Sequence, residues 1–321
     1  MKFVIYGAGA IGGIVGARLH ATGNDVTLVA RGAHFEAIRD RGLTVVIPGA
    51  AVTTYEIAAV DRITEAPLDE NTAVLLCMKS QDTELALREL AACAPPEIAV
   101  VCVQNGVDNE RMASRRFAHV YAVCVMCPGV HLEPGVVETN TAPGWGILDL
   151  GCYPSGVDER AEQLAALLTE AGFLSEPRAD IMAWKYAKLL GNLGNGIAAL
   201  SGIEAARGDA GKLVREEAEG ILRAARIAFT DMETIRTRWS NMTRIPSANR
   251  NNSSWQSLQR GTGSIEVDFL NGEIVLIAHL HGLDAPVNAL VQRMAHELAR
   301  GRGEPGSVPV EKIVAALSAV A

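Results

Sequence analysis

The residues with the clearest chemical potential form the motif Gly7-Ala-Gly-Ala-Ile-Gly12 near the amino terminus. A short apolar run precedes this motif, and a helical pattern follows it. In a strand–turn–helix setting, the first glycine permits a tight turn, the second lets the backbone approach a pyrophosphate, and the third lets the helix pack on the strand. The N–H groups at the helix start attract phosphates. The spacing therefore predicts a dinucleotide site formed by Gly7, Ala8, Gly9, Ala10, Ile11 and Gly12.

The end of the second predicted strand, Val26–Ala30, carries no acidic residue. Sites for NAD commonly have a carboxylate near this point, which accepts hydrogen bonds from the ribose hydroxyls. A 2′-phosphate is repelled by such a carboxylate, whereas an arginine binds it with two parallel hydrogen bonds. Here the strand ends in Ala30 and is followed by Arg31. The pattern therefore predicts NADP(H) as the cofactor and Arg31 as the contact of its 2′-phosphate.

Polar side chains also follow two further apolar runs. Lys79 comes directly after Ala73–Met78, and Gln104-Asn105-Gly106 comes directly after Ala99–Val103. Open α/β sheets bind their ligands at the carboxyl ends of the strands. We therefore expect Lys79 and Asn105 to lie at the ligand-binding edge of the sheet.

A second group of candidates lies in the later part of the chain. Lys185, Lys188 and Asn192 are spaced by three and four residues, so they share one face of a helix. Glu266 stands in the segment Ser264–Gly272, which ends in Asn-Gly. Lysines are usually solvated and Asn-Gly is usually a turn, so neither pattern decides its role alone.

The elements around these residues indicate an α/β fold. Apolar runs that favour strands alternate with helical patterns through the first half, which is typical of a parallel sheet buried on both faces. The runs are Lys2–Tyr6, Val26–Ala30, Leu43–Ile47, Ala73–Met78, Ala99–Val103 and Val120–Met126, with Val136–Thr141 and Trp145–Leu150 as a later antiparallel pair. From about Asp180 the pattern is helical, with Ile181–Leu190, Ala210–Met232, Ser264–Leu280, Ala289–Arg300 and Val310–Val320. We predict a Rossmann-like dinucleotide-binding domain over residues 1–179 and an all-helical domain over residues 180–321.

Composition excludes several classes of function. The 321 residues are 49% hydrophobic and 21% charged, with a net charge of −8, and the absence of basic runs argues against binding to nucleic acid. No apolar run approaches the roughly 20 residues that span a bilayer. The six cysteines show no disulfide framework, and no His, Cys or carboxylate set has metal-ligand spacing. We expect a cytoplasmic protein with reduced thiols and no metal, acting on a small molecule rather than on nucleic acid or membrane.

The order of the motifs resembles one enzyme family along nearly the whole chain. GAGAIGG with VTLVARGAH, then VLLCMKSQDTELAL, VVCVQNGVDNE, WKYAKLLGN, and IEVDFLNGEIV with GLDAPVN look like ketopantoate reductase (2-dehydropantoate 2-reductase). The resemblance implies a Rossmann-like domain followed by a helical domain, and an NADP-dependent oxidoreductase acting on CH-OH donors. It also implies reduction of 2-dehydropantoate to pantoate in pantothenate and coenzyme A biosynthesis, or of a related 2-oxo acid.

The same resemblance implies roles for individual residues. Arg31 becomes the 2′-phosphate contact, Lys79 and Asn105 become contacts on the cofactor and substrate side, and Lys188 becomes the catalytic lysine. Asn192 becomes its substrate-binding neighbour, and Glu266 becomes the carboxylate that anchors the substrate and borders the cofactor. A cationic lysine beside a ketone oxygen stabilises the growing negative charge and donates a proton. A carboxylate at Glu266 suits a hydroxyl on the substrate.

Two departures from the family pattern lie in the substrate region. The family commonly shows Ser-Met-Leu-Gln-Asp ahead of the glutamate, whereas this chain has Ser253-Ser-Trp-Gln-Ser-Leu-Gln259. The second asparagine, usually four residues after the first, is here Asn195, three after Asn192. Ser253 or Ser254 supplies the hydroxyl near the substrate carboxylate in this interpretation. Trp255 adds bulk, which favours a pocket shaped for another 2-oxo acid as the alternative substrate.

Two further functions fit the same pattern less closely. A 3-hydroxy acid or opine-type dehydrogenase would keep the two-domain plan without requiring Lys188 and Glu266 in these contexts. A non-catalytic NADPH-binding sensor would bind cofactor without turnover and would use Lys188 only structurally. The apolar helix Val310–Val320 either closes the helical domain or meets a second subunit, and we expect a homodimer because closed symmetric dimers are the commonest assembly.

Overall fold

A computed structural model describes residues 1–141, 144–245, 265–301 and 303–321. These residues divide into two compact units. The first comprises Met1–Asn105, Asn109–Trp184 and the segment that begins at Met232. The second comprises Gly106–Asp108, Lys185–Asp231 and the described residues from Ile265 onward.

All strands in the described residues belong to the first unit. They are β1 (Lys2–Tyr6), β2 (Asp25–Val29), β3 (Leu43–Val46), β4 (Val52–Tyr55), β5 (Ala58–Val60), β6 (Thr72–Leu76), β7 (Ala99–Cys102), β8 (His119–Met126), β9 (Gly129–Glu133), β10 (Val136–Thr139) and β11 (Ile147–Cys152). Seven of them form the main sheet in the order β11-β8-β7-β6-β1-β2-β5. All pairs in this sheet are parallel except β11 with β8. The chain order reverses between β1 and β6, and the crevice beyond the carboxyl ends at such a point is where open α/β sheets bind ligands.

Helices flank the sheet and make up the second unit. They are α1 (Ala10–Ala21), α2 (Gly32–Arg41), α3 (Thr83–Ala91), α4 (Asn109–Ala113), α5 (Glu159–Glu170), α6 (Ile181–Asn192), α7 (Gly194–Ser201), α8 (Ile203–Arg207), α9 (Asp209–Ala224), α10 (Met232–Ser240), α11 (Asn271–Leu280), α12 (Pro286–Arg300) and α13 (Val310–Ser318). A 3-10 turn over Glu266–Phe269 precedes α11. The predicted combination of an α/β region with a parallel sheet and a helical C-terminal region is confirmed.

A second sheet corrects the predicted strand pairing. It has four strands in the order β4-β3-β10-β9, so β3 does not belong to the main sheet. The predicted antiparallel pairing of the segments at 136–141 and 145–150 is wrong, because β10 pairs with β3 and β9 whereas β11 pairs with β8. Strand periodicity shows which face of a strand is buried but not which neighbour it pairs with.

Helix α1 explains why the second sheet forms. A Cβ on Gly16 would contact Leu28 and Ile5 of the main sheet, whereas a Cβ on Gly13 would contact Val137 and Leu43 of the small sheet. The helix is therefore packed between two sheets. A helix that is apolar on all sides needs such cover on all sides.

Two of the predicted long helices are interrupted. The stretch predicted over 210–232 ends as α9 at Ala224, and Arg226 there adopts a positive φ of 57° before α10 begins. The stretch predicted over 264–280 divides into the 3-10 turn and α11, separated by Leu270. In the described part of the chain, no helix is both long and apolar enough to cross a membrane.

Candidate functional site

The glycine motif forms the turn between β1 and α1. Gly7 has a φ of +102°, and a Cβ there would lie 2.8 Å from the backbone nitrogen of Met78, so this position requires glycine. The amides of Gly7 and Ala8 both donate to the carbonyl of Val29 at 3.1 Å, which ties the turn to the end of β2. The ends of β1, β2 and β6 therefore meet at this turn.

The other two glycines have opposite surroundings. A Cβ on Gly12 would lie 2.2 Å from the carbonyl oxygen of Gly7 and 2.9 Å from both Cys77 and Ile5, so only glycine lets α1 pack on the sheet here. A Cβ on Gly9 would meet no atom within 4 Å, and Gly9 is the residue that precedes α1. Open space in front of the first N–H groups of a helix, with no acidic residue in its first turn, suits a pyrophosphate. The residues present thus fit a dinucleotide.

Arg31 lies two residues after the end of β2 and immediately precedes α2. Its side chain is 63% exposed, and Nη2 donates to the Glu89 carboxylate of α3 at 3.4 Å. The hydroxyl of Tyr6, at the end of β1, donates to the same Glu89 oxygen. Arg31 is thus available to an incoming anion, and a carboxylate that is 58 residues away in the sequence borders it.

Lys79 and Asn105 follow β6 and β7, as their positions in the sequence predict. The Ser80 hydroxyl donates to the Asn105 carbonyl at 3.3 Å, so the two loops are joined beside Lys79. Asn109 donates to the same carbonyl at 2.9 Å. The loops that carry Lys79 and Asn105 are therefore in contact at the carboxyl edge of the sheet.

A buried polar network fixes these two loops. Thr83 donates to Asn109 Oδ1 at 2.8 Å, and Gln104 donates to Thr83 Oγ1 at 2.7 Å and to the Met78 carbonyl at 3.1 Å. Ser80, Thr83, Gln104 and Asn109 are all less than 5% exposed. Their burial shows that they orient the loops rather than meet a ligand from solvent. Their role was not predicted from the sequence, where the polar residues directly after each strand were the available signal.

His34 is another residue that the sequence analysis missed. The Gly135 amide donates to its Nδ1 at 2.9 Å, so the ring proton lies on Nε2, which donates to the Ala8 carbonyl at 2.7 Å. The ring of His131 lies 4.2 Å away, measured between centroids. Burial lowers the pKa of His34, which keeps the ring neutral as this pattern requires. His34 thereby connects α2, the glycine motif and the turn between β9 and β10.

In the second unit, α6 and α7 carry the catalytic candidates. Lys188 is 9% exposed and Lys185 3%, so both lysines face the interior of the protein. Asn192 ends α6, and Asn195 lies in the first turn of α7. The structure places these residues on consecutive helices, and burial does not distinguish the two lysines.

Glu266 begins the 3-10 turn before α11 and is 6% exposed. The next residue, Val267, lies within 3.6 Å of where a Cβ on Gly196 of α7 would be. The Glu266 turn is therefore packed against the helix that carries Asn195. Ser253 and Ser254 lie outside the described residues.

Asn271 supports the junction between α6 and α7. Its amide donates to the Leu193 carbonyl at 3.3 Å and to Asn288 Oδ1 at 3.0 Å. Asn288 in turn donates to Glu217 Oε1 at 2.8 Å, and both asparagines are fully buried. The sequence analysis noted the Asn-Gly pair only as a turn, but the asparagine holds the carbonyl between the two candidate helices.

The cysteines form no disulfides in the described chain. Cys124 and Cys127 direct their sulfur atoms to different carbonyls, those of Trp184 and Trp145. Burial raises the pKa of the Cys77 thiol far above its ordinary value. Among the residues with described positions, no group of three His, Cys, Asp or Glu side chains could hold a metal ion.

Comparison with known proteins gives matches to both parts of the chain. The family model described as Ketopantoate reductase PanE/ApbA matches residues 3–155, and the model for Ketopantoate reductase PanE/ApbA C terminal matches residues 180–299. A 2-dehydropantoate 2-reductase from Pyrococcus horikoshii is 34% identical over 298 residues, covering 91% of this chain and 95% of the relative. One from Archaeoglobus fulgidus is 30% identical, covering 92% and 97%.

Solved structures give the same picture. A PanE/ApbA family ketopantoate reductase from Ralstonia eutropha JMP134 has a TM-score of 0.80 at 27% identity, covering 94% of this chain and 99% of that one. D-mandelate dehydrogenase, in a ternary structure with NADH and anilino(oxo)acetate, has a TM-score of 0.81 at 22% identity, with the same coverage. The second similarity concerns the fold alone.

Proposed function

The chain belongs to the ketopantoate reductase family, and on that premise we propose that it reduces 2-dehydropantoate to pantoate with NADPH. The observation that carries the proposal is that the regions matched by the two family models contain every proposed site residue. The match over residues 3–155 contains the glycine motif, Arg31, Lys79 and Asn105. The match over residues 180–299 contains Lys188, Asn192, Asn195 and Glu266.

The first unit holds the cofactor in this proposal. The open space at Gly9 and the start of α1 receive the pyrophosphate, and Arg31 binds the 2′-phosphate. Lys79 and Asn105 border the cofactor from the ends of β6 and β7. NADPH, when bound, supplies the hydride that reduces the C2 carbonyl of the substrate.

The second unit supplies the proton and the substrate contacts. The Lys188 ammonium stabilises the negative charge that grows on the carbonyl oxygen as hydride reaches C2, and then protonates that oxygen. Asn192 and Asn195 donate amide hydrogens to the substrate, together with Asn105 of the first unit. Glu266 accepts a hydrogen bond from the substrate hydroxyl, and Ser253 or Ser254 binds its carboxylate.

A second candidate keeps the mechanism and changes the substrate. Trp255 stands where the family commonly has a smaller side chain, so a different 2-oxo acid fits this chain as an alternative to 2-dehydropantoate. The fold is compatible with such a change, since D-mandelate dehydrogenase shares it.

The test is NADPH oxidation with 2-dehydropantoate and a panel of other 2-oxo acids, with NADH as the parallel cofactor. We expect turnover of 2-dehydropantoate with NADPH, and a fall of roughly tenfold or more in kcat/KM for NADPH in Arg31→Ala because a charge-assisted phosphate contact is lost. Turnover only with another 2-oxo acid would select the second candidate. Tight NADPH binding without turnover of any acid would support the sensor function instead.

We also propose that the enzyme is a cytoplasmic homodimer. A cytoplasmic location is supported by the cysteines, which form no disulfides in the described chain, and by the proposed use of a reduced nicotinamide cofactor. Of the two alternatives for the C-terminal helix, closing the helical domain is the one supported by Ile313 and Leu317 of α13, which are fully buried within the chain itself. Analytical ultracentrifugation at micromolar concentration measures the oligomeric state directly.

A further inference from the structure

A carboxylate borders the position proposed for the 2′-phosphate. Glu89, in the last turn of α3, accepts a hydrogen bond from Nη2 of Arg31 at 3.4 Å. The second partner of Glu89 is the hydroxyl of Tyr6, which donates to the same carboxylate oxygen. Three segments of the first unit, the end of β1, the start of α2 and the end of α3, therefore meet at one charged cluster.

Tyr6 holds the Glu89 carboxylate in place. Its side chain is 3% exposed, so it has one orientation in the core, while the Glu89 side chain is 40% exposed. Burial, followed by the bond to Glu89, raises the pKa of the Tyr6 phenol, which therefore remains a hydrogen-bond donor. A carboxylate fixed from the core side cannot simply swing away when an anion approaches the guanidinium.

Arg31 and Glu89 act in opposite directions on the 2′-phosphate of the cofactor. Arg31 attracts a 2′-phosphate, but Glu89 competes for the same guanidinium and repels a second anion beside it. ADP-ribose without the 2′-phosphate meets no such repulsion. In NAD-type sites, the free ribose hydroxyls donate hydrogen bonds to a carboxylate.

We propose that Glu89 is a specificity-determining residue of the cofactor site, whose carboxylate limits the preference for NADPH over NADH. This inference rests on the proposed function, because Arg31 must bind the 2′-phosphate for Glu89 to oppose it. The end of β2 lacks an acidic residue, but α3 supplies a carboxylate that contacts the Arg31 guanidinium.

The test is calorimetric titration of the purified protein with 2′-phospho-ADP-ribose and with ADP-ribose, so that binding is measured without turnover. Glu89→Gln keeps the side-chain shape and an acceptor for Tyr6 while removing the charge. We expect it to tighten binding of the 2′-phosphorylated fragment roughly two- to fivefold, the range of an exposed charge interaction, and to leave ADP-ribose unchanged or weaker. The gain should shrink at high salt because exposed charges are screened.

The matched control is Glu170→Gln, which removes the same charge from an exposed site at the end of α5. Helix α5 packs on β11, at the opposite edge of the sheet from β2 and β5, so we expect no change with either fragment. If both variants bind the 2′-phosphorylated fragment more tightly by the same factor, the effect comes from the net charge of the protein, and the inference is overturned.

Two further outcomes separate this inference from the proposed function. If Arg31→Ala weakens the 2′-phosphorylated fragment but Glu89→Gln leaves it unchanged or weakens it, the role of Glu89 is wrong and the cofactor assignment stands. If the wild-type protein does not prefer the 2′-phosphorylated fragment and Arg31→Ala changes nothing, the assignment of Arg31 fails, and the inference fails with it.

Discussion

Buried charge is the main feature of the candidate site at the scale of single residues. Lys185, Lys188 and Glu266 are each less than a tenth exposed, although charged side chains are seldom buried without a partner or a function. His34 shows the opposite solution, since it is partly buried in its neutral form with both ring nitrogens bonded to backbone. The function of each of these side chains therefore depends on whether it carries a charge.

The two buried lysines give a direct test of the proposed proton donor. Lys188→Met keeps the length of the side chain but removes the ammonium, and we expect kcat to fall about a hundredfold or more because the charge on the oxygen loses its donor. Lys185→Met is the matched variant on the same helix face, and it should retain most of the wild-type kcat. A large loss in Lys185→Met with little loss in Lys188→Met would transfer the role to Lys185.

His34 predicts a component of stability that depends on pH. Burial lowers its pKa in the folded protein, so the unfolded chain takes up the proton first as the pH falls. Stability from this group is complete above its unfolded pKa of about 6.5 and is lost as the pH drops toward the folded pKa. Below the folded pKa the loss levels off, because both states are then protonated.

The measurement compares thermal unfolding of the wild type and of His34→Gln between about pH 8 and pH 5. The glutamine does not titrate, so the Tm of the wild type should fall more than the Tm of the variant as the pH is lowered over this range. Parallel curves would show that His34 contributes nothing to the pH dependence.

Among the helices, two ends carry candidate site residues, one end in each unit. The start of α1 faces open space at Gly9 while its next turn is packed against β1 through Gly12. The junction of α6 and α7 at Leu193 is held by the buried amide of Asn271. In both places, residues that contact the backbone determine where a functional side chain or N–H group points.

Two glycine variants separate folding from binding at α1. Gly12→Ala places a methyl group 2.2 Å from a backbone oxygen, so α1 must shift and stability should fall by about 1–3 kcal/mol or more. Gly9→Ala meets no atom within 4 Å, so its Tm should stay near that of the wild type while its methyl group obstructs the pyrophosphate. Thermal unfolding and calorimetric titration with ADP-ribose measure the two effects, and normal ADP-ribose affinity in Gly9→Ala would contradict the proposed phosphate position.

At the scale of the whole molecule, the chain leaves the first unit after Trp184 and returns to it at Met232. The returning helix α10 is attached by Arg238, which binds Asp149 of β11 at 2.6 and 2.9 Å. Arg178 binds the same carboxylate at 3.0 Å and stacks on the ring of Trp184 at 3.9 Å. One buried aspartate, 1% exposed, therefore joins the last strand to a helix 89 residues later.

Removing that aspartate should destabilise the protein severely. Asp149→Ala leaves two mostly buried guanidinium groups with the half-exposed Glu176 carboxylate as their remaining shared partner, so we expect a loss of about 3 kcal/mol, at the lower end of what breaking a buried pair costs. Asp40→Ala is the matched control, because Asp40 pairs with Arg39 on the surface and should change stability little. Denaturant unfolding compares the two variants, and similar midpoints would show that the Asp149 cluster does not hold the returning helix.

Elements whose signals are local could be predicted from the amino-acid sequence. The glycine motif, the strands β1, β2, β6, β7 and β8, and the helical character of the C-terminal region follow from spacing and apolar periodicity, which do not depend on distant partners. The placement of Lys79 and Asn105 at strand ends follows in the same way, since parallel strands bring their carboxyl ends to one edge.

Which distant segments meet could not be predicted from the sequence and became visible in the folded chain. Three kinds of contact join residues that are 26 to 101 positions apart. They are the pairing of β3 with β10 in the second sheet, the pairing of Glu89 with Arg31, and the bonds of His34 to Ala8 and Gly135. Such contacts depend on how α1 and its neighbours pack, because a period of two or 3.6 residues specifies a buried face but not what covers it.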